Sequence, residues 1–329
     1  MKIASIRNYP LQMSFLPAVA ANMRRATTHT ERVTVYRVEL DNGIVGWGDS
    51  HGESDLSEHV GRHAMELLHG QVPDALRMAC FDAVGKTMDV PAHVLMGEQR
   101  RPRIPFAYWT IDLPPDLLAQ QIRYAADLGY RTYKLKVRPW WDVIELAECA
   151  AEHAPPGFKI WTDFNGHLRD AHQAIPILKK LQEFDCIGGI ESPIPQRDVS
   201  GYKRIRSIID LPIALHYGSG CCHVVSDDSY DRGVPAERQI RENLCDGFVL
   251  GGDADTFGID QVCYENRKVF WIQAIGTSLR AAFVAHISSV CRQTTLSSMS
   301  GHALWEKDVV AEPLTPVDGY LPVPSGPGL

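Results

Sequence analysis

The chain has 329 residues, of which 45% are hydrophobic and 22% charged, with a net charge of −7 and no long run of either sign. That is ordinary for a soluble globular protein with a sizeable core, built as one large domain plus a smaller one. It excludes the basic footprint of a nucleic-acid or anionic-membrane binder, and no apolar run approaches the roughly 20 residues that span a bilayer.

The N-terminus, MKIASIRNYPLQM, lacks the apolar core of a signal peptide. Eight cysteines are scattered without a CxxC pair, and only Cys221 and Cys222 are adjacent. No zinc ribbon or thioredoxin-like motif is present, and reduced thiols in a cytoplasmic protein are the simplest account.

In the first hundred residues, Lys2–Tyr9, Val33–Leu40 and Ile44–Gly48 read as strands of an antiparallel meander, the last two joined by the turn Asp41-Asn42-Gly43. Ser14–His29 reads as irregular and Asp49–Ser54 as a polar loop. Helical spacing is expected from Leu56 to Gly70 and from Pro73 to Met88. Together these make a compact α+β unit whose two irregular segments could cover a site or simply lie on the surface.

From Ile104 the pattern alternates strand and helix. The strands are Ile104–Thr110, Thr132–Val137, Lys159–Asp163, Ile187–Glu191, Pro212–His216, Gly247–Leu250 and Lys268–Gln273. The helices between and after them are Pro115–Leu128, Trp141–His153, Asp170–Phe184, Gly201–Ile209, Ala236–Asn243, Thr256–Asn266 and Thr277–Cys291. So many repeats of one unit argue for a parallel sheet closed into a barrel rather than an open doubly wound sheet. No glycine-rich phosphate fingerprint follows the first strand, which argues against a dinucleotide fold.

Lys134 and Lys136 stand two apart on the second of these strands, so their amines point the same way. Mutual repulsion is expected to lower their pKa, which suits proton transfer; surface lysines on an edge strand are the plainer alternative. Chemistry in a barrel sits at the C-terminal strand ends. There the next strands finish with Asp163-Phe164-Asn165, Glu191-Ser192-Pro193 and His216, one strand–helix unit apart. Three such groups in register, beside two lysines, are expected to converge as metal ligands rather than serve as separate helix caps.

Lys-x-Lys, Asp-x-Asn and Glu-x-Pro at successive strand ends resemble the enolase superfamily, in its mandelate racemase and muconate lactonizing branch. The hairpin Asp41–Gly48 is similar to that family's cap, and Asp318–Leu329 to the segment that returns to it. The resemblance implies a modified (β/α)7β TIM-like barrel over residues 101–299 with an α+β N-terminal capping domain, residues 1–100 completed by 300–329. It also implies a divalent cation, usually Mg²⁺, on Asp163, Glu191 and the strand-five position; Lys136 as the base; Lys134 lowering the pKa of Lys136 and contacting the carboxylate of a small-molecule substrate; and Asn165 either supporting the metal ligands or contacting the substrate. Relatives commonly assemble as dimers or octamers, so a homo-oligomer is expected.

Two departures bear on chemistry. His216 stands where the family has a carboxylate, which would favour Mn²⁺ or another transition metal over Mg²⁺. The strands opposite end Leu250-Gly251-Gly252-Asp253 and Trp271-Ile272-Gln273, with neither a second lysine nor a histidine. A one-base reaction is therefore expected, acid-sugar dehydration first, with cycloisomerisation and epimerisation or racemisation as alternatives. A degenerate barrel that only binds a metabolite is the rival from another class. Trp271 and Gln273 are expected to shape the pocket. The long connection Tyr217–Gly233 and the cap loop offer His223, Cys221, Cys222 and His51 as further contacts. His167 lies near the site, and His286 reads as a packed helix residue.

Overall fold

Three strands, β1 (Ile3–Gln12), β2 (Arg32–Leu40) and β3 (Val45–Ser50), form an antiparallel sheet in that order. The structure is a computed structural model and describes residues 1–26, 30–219, 233–252 and 255–329. The β2–β3 turn closes as its residues dictate. Asn42 Oδ1 accepts from the Ile44 N–H at 3.1 Å and Gly43 takes a φ of 82°.

Two expectations for this region are corrected. Ser14–His29 is not wholly irregular, because α1 (Pro17–Ala26) occupies it, burying Val19, Ala20 and Met23. Leu56–Gly70 is not one helix: a 3₁₀ turn at Ser57–His59 and the single turn α2 (Ala64–Leu67) flank the left-handed Gly61. The helix α3 (Asp74–Met88) forms as expected and lies directly on β3. A Cβ at Gly46 would meet the Ala79 carbonyl oxygen at 2.0 Å, so only glycine allows this approach.

The expected strand Ile104–Thr110 is split in two. β4 (Arg103–Pro105) pairs antiparallel with β12 (Tyr320–Pro322), whereas β5 (Tyr108–Thr110) enters the large sheet. That sheet is parallel, in the order β5, β6 (Thr132–Lys136), β7 (Lys159–Asp163), β8 (Ile187–Glu191), β9 (Ile213–His216), β10 (Gly247–Gly251) and β11 (Val269–Gln273). Between and after its strands run α4 (Pro115–Asp127), α5 (Val143–His153), α6 (Ala171–Leu181), α7 (Val199–Arg206), α8 (Ala236–Arg241), α9 (Thr256–Glu265) and α10 (Ser278–Val290). Asp142, Asp170, Asp198, Asp255 and Thr277 cap α5, α6, α7, α9 and α10, each side chain accepting a backbone N–H of its first turn.

The sheet curls, and both of its edges bond to the same short segment. Ser298 N–H donates to Pro105 and its carbonyl accepts from Ala107, at 3.1 and 2.8 Å. Met299 N–H donates to Ile272 and its carbonyl accepts from Ala274, at 2.9 and 3.1 Å. Inside, the Trp161 and Trp271 rings meet edge to face at 5.1 Å. Trp161 lies over Gly189 of the neighbouring strand, where a Cβ would sit 2.6 Å from the indole. The C-terminus returns to the cap: Leu329 N–H donates to Asp82 Oδ1 at 2.9 Å and Gly328 N–H to Val90 at 3.0 Å. Among the described residues no helix is long and apolar enough to cross a membrane.

Candidate active site

Alternation along β6 sends Tyr133 and Leu135 one way and Lys134 and Lys136 the other, into the curl of the sheet, where they are 1% and 4% exposed. Lys136 is in register with Asp163, and Asp163 with Glu191, so three strands end at one level. Lys134 Nζ lies 2.6 Å from Glu191 Oε2 and 3.2 Å from Asp163 Oδ2. Lys136 Nζ lies 2.5 Å from Asp163 Oδ2 and donates to Asn165 Oδ1 at 3.0 Å. From β9, His216 Nε2 approaches Glu191 Oε1 at 3.3 Å.

The expected lowering of the lysine pair is corrected for Lys134. Burial alone would push its amine down, but Glu191 and Asp163 outweigh that and hold it above the ordinary lysine value. Burial pushes the Asp163 carboxyl up, and Lys136 and Lys134 override it, holding it well below the usual carboxylate range. The like charge of the neighbouring lysine is outweighed by the two carboxylates that face Lys134 across the sheet.

The other predicted contacts divide. Gln273 Oε1 accepts from Lys134, and the Trp271 ring centroid lies 5.7 Å from the Lys134 ammonium, so both border the cluster from β11. Asn165, at a left-handed φ of 46°, is aimed by its own N–H, which donates to Asp163 Oδ1 at 3.0 Å. Its Nδ2 is buried without a partner, as is Nε2 of His167 two residues on. Burial and the nearby Arg138 push His167 down to about 4. His51 sits in the cap, its ring centroid 6.4 Å from that of Trp305, and with Arg280, Ala274 and Ile275 lines a separate cavity of about 250 Å³. Burial lowers its pKa. His286 is packed as expected, its ring stacked on His93 at 5.5 Å. His223, Cys221 and Cys222 lie outside the described residues.

Among the described residues no three His, Cys, Asp or Glu side chains are gathered to hold an ion. The Lys134 ammonium bridges the two carboxylates instead, because two fully buried negative charges need an opposite charge between them. The donor chemistry still fits a divalent cation. Both Glu191 oxygens and His216 Nε2 are buried without an aligned hydrogen bond, and two carboxylates with an imidazole face one space.

Residues missed from the sequence include Arg138, which continues the Lys-x-Lys alternation by one more step and is buried. Asp112 was missed too. It lies just beyond β5 and accepts from Arg25, Trp140 and Trp141 at 2.9, 2.7 and 2.9 Å. Alternation could have found the first; nothing local marks the second.

Residues 117–217 match the family described as Enolase C-terminal domain-like. An N-succinylamino acid racemase of Amycolatopsis sp is 30% identical over 365 aligned positions, covering 100% of this chain and 94% of the racemase. This chain belongs to the enolase superfamily, in its mandelate racemase and muconate lactonizing branch. An N-succinyl-L-Arg/Lys racemase of Bacillus cereus is 24% identical over 238 positions, 63% of this chain and 60% of that protein. Its solved structure aligns with a TM-score of 0.75 at 18% identity, over 100% of this chain and 94% of that one. A dipeptide epimerase of Enterococcus faecalis V583 aligns with a TM-score of 0.77 at 17% identity, over 100% of this chain and 99% of that one. The enolase-superfamily fold, a TIM-like barrel with an N-terminal cap, is the architecture these neighbours share with the curled sheet and cap described above.

Proposed function

We propose that this enolase-superfamily chain removes the proton from the carbon beside the carboxylate of a small acid, with Lys136 as the base. The observation that carries this is the Lys136 amine: buried, level with Asp163 and Glu191, and held by Asn165. The bridge at Ser298–Met299 supports reading the sheet as a closed (β/α)7β barrel with the reaction at its mouth.

Lys134, kept as an ammonium, sets a positive charge where a substrate carboxylate gathers negative charge as the proton leaves. Asn165 fixes the direction of the Lys136 amine, and Trp271 with Trp161 keeps water from the wall behind it. Asp163, Glu191 and His216 are the residues that would hold a divalent ion, Mg²⁺ or Mn²⁺, which supplies further positive charge against the developing enediolate. On the opposite side, β10 and β11 end in Gly251 and Gln273 and bring no second amine. One base on one face suits elimination of water or cycloisomerisation.

Racemisation or epimerisation is the second reading, favoured by what the relatives are. Incubating a panel of carboxylic acids in D₂O with Mg²⁺ tests both. Deuterium at the α-carbon with retention, or an unsaturated product, supports one-base chemistry; deuterium with inversion supports the racemase. Lys136→Ala should cut exchange roughly 10²–10⁴-fold while the circular dichroism stays native. Absence of exchange with every acid would leave a barrel that only binds.

A further inference from the structure

We propose that Gln196 and Gln239 are positioning residues that aim His216 at Glu191, and that through His216 they set which divalent ion the site prefers. This rests on the proposed metal set of Asp163, Glu191 and His216, and adds to it what fixes its least usual member.

The sheet has a gap beside His216. Along β9 the backbone groups alternate between the two neighbouring strands. The Ala214 carbonyl accepts from Ser192 N–H at 3.1 Å on the β8 side, and Tyr217 N–H donates to the Val249 carbonyl at 3.3 Å on the β10 side. His216 lies two residues beyond Ala214, so its N–H and C=O face β8. But β8 ends at Glu191, Ser192 takes a left-handed φ of 44°, and a proline follows. No strand is left to pair with His216 there, and an unpaired backbone amide would be costly.

Gln196, fully buried, fills the gap. In the orientation that satisfies both ends of its amide, the oxygen accepts from the Ser192 hydroxyl and the His216 N–H at 2.7 and 3.0 Å. The nitrogen then donates to the His216 and Ser219 carbonyls at 3.2 and 2.6 Å. Gln239, equally buried, reaches the same peptide from α8. Its Nε2 donates to the His216 carbonyl at 2.9 Å, and its Oε1 accepts from Gly218 N–H at 2.9 Å, where the chain turns with a φ of 63°. Both glutamines thus use both ends of the amide on the residues that finish β9.

What they hold is the imidazole. His216 Nε2 stands 3.3 Å from Glu191 Oε1 without an aligned hydrogen bond. A nitrogen donor beside two carboxylates favours a transition-metal ion such as Mn²⁺ over Mg²⁺, which prefers oxygen. A shift of the His216 peptide would carry the ring away from Glu191 and leave only the carboxylates.

The test is metal binding to the full chain, with Mn²⁺ followed by electron paramagnetic resonance and Mg²⁺ by its competition for the same site. The unaltered protein should bind Mn²⁺ at least about tenfold more tightly than Mg²⁺. Gln196→Met and Gln239→Met keep the length of the side chain and remove its amide. Each should lower Mn²⁺ affinity about 10–100-fold and Mg²⁺ affinity less, moving the ratio toward that of His216→Ala while the circular dichroism stays native. Gln239→Glu keeps the acceptor for Gly218 and loses the donor to His216; it should fall between, and it carries the test if the methionine variants do not fold. Equal loss of both affinities would make the glutamines merely structural and overturn the proposal. So would a ratio that survives their substitution but not that of His216. A ratio unmoved in His216→Ala would overturn it too, leaving Asp163 and Glu191 as the metal residues. Binding of neither ion would overturn the metal set and the proposal together.

Discussion

Lys134 is buried between Glu191 and Asp163, so its protonation is set by those two carboxylates. A lysine held above its ordinary value stabilises the fold fully below about pH 10.4, and that contribution is lost only as pH rises through the higher folded value. Asp163, held low, contributes above about pH 3.9 and loses that contribution as pH falls through its lower folded value. Neither group changes charge between roughly pH 5 and 10. Lys134→Met should therefore cost about 3–5 kcal/mol in urea denaturation at neutral pH, because it strips a partner from buried charge. His286 behaves oppositely from a histidine on the surface. Burial and its neighbour His93 push it down to about 3, so the unfolded chain takes up a proton first as pH falls below about 6.5. Stability should fall between about pH 6.5 and 3, and His286→Asn should flatten that slope in acid titrations followed by circular dichroism. At this scale the positions of Lys134, Lys136, Asp163 and Glu191 were legible, since alternation on one strand and a constant strand–helix interval fix them. The protonation of Lys134 was not, because it depends on which groups face it across the sheet.

At the scale of elements, the helices and strands between Pro115 and Val290 follow their sequence periods and aspartate caps closely, as β7 and β8 show. Misreadings fall where pairing is long-range or the element is short. β4 is split from β5 because its partner is β12, far along the chain, which no local pattern announces. Helix α1 was missed although Val19, Ala20 and Met23 recur at helical spacing, because it is only ten residues long and what holds it is tertiary. Asn22 Nδ2 donates to the Asp112 carbonyl at 2.9 Å, and Arg25 pairs with the Asp112 carboxylate at 2.9 Å while lying over the Trp140 ring. Asp112 thereby ties a cap helix to the segment that follows the two lysines. Asp112→Ala should leave two indole N–H groups and a guanidinium without their acceptor. Faster amide exchange in α1, with the exchange of α6 unchanged, is the expected signature in hydrogen-exchange mass spectrometry.

At the scale of the whole molecule, cap and barrel are joined by charge as well as by apolar packing. Arg280 on α10 is buried, and its Nε donates to Asp49 Oδ1 at 3.0 Å, at the end of the cap strand β3. The same guanidinium reaches Asp74 at the start of α3, and Arg77 holds Asp74 from the other side at 3.1 Å. Asp49 is fully buried and its second oxygen accepts from the Thr277 N–H and hydroxyl at 2.7 and 2.8 Å, so both ends of the link are fixed. The cap loop with His51 begins directly after this strand and lines the cavity that Arg280 also lines. The cap strand and the loop that carries His51 are thus tied to the barrel by one guanidinium. Arg280→Met keeps much of the volume and removes the charge, leaving Asp49 and Asp74 to face each other's field. It should cost about 3–5 kcal/mol. Because the link lies between cap and barrel rather than within either, the loss should appear as cap residues exchanging before barrel residues, with a wider gap between the two than in the unaltered chain. A variant that unfolds in one step at undiminished urea concentration would show that apolar contacts alone seat the cap.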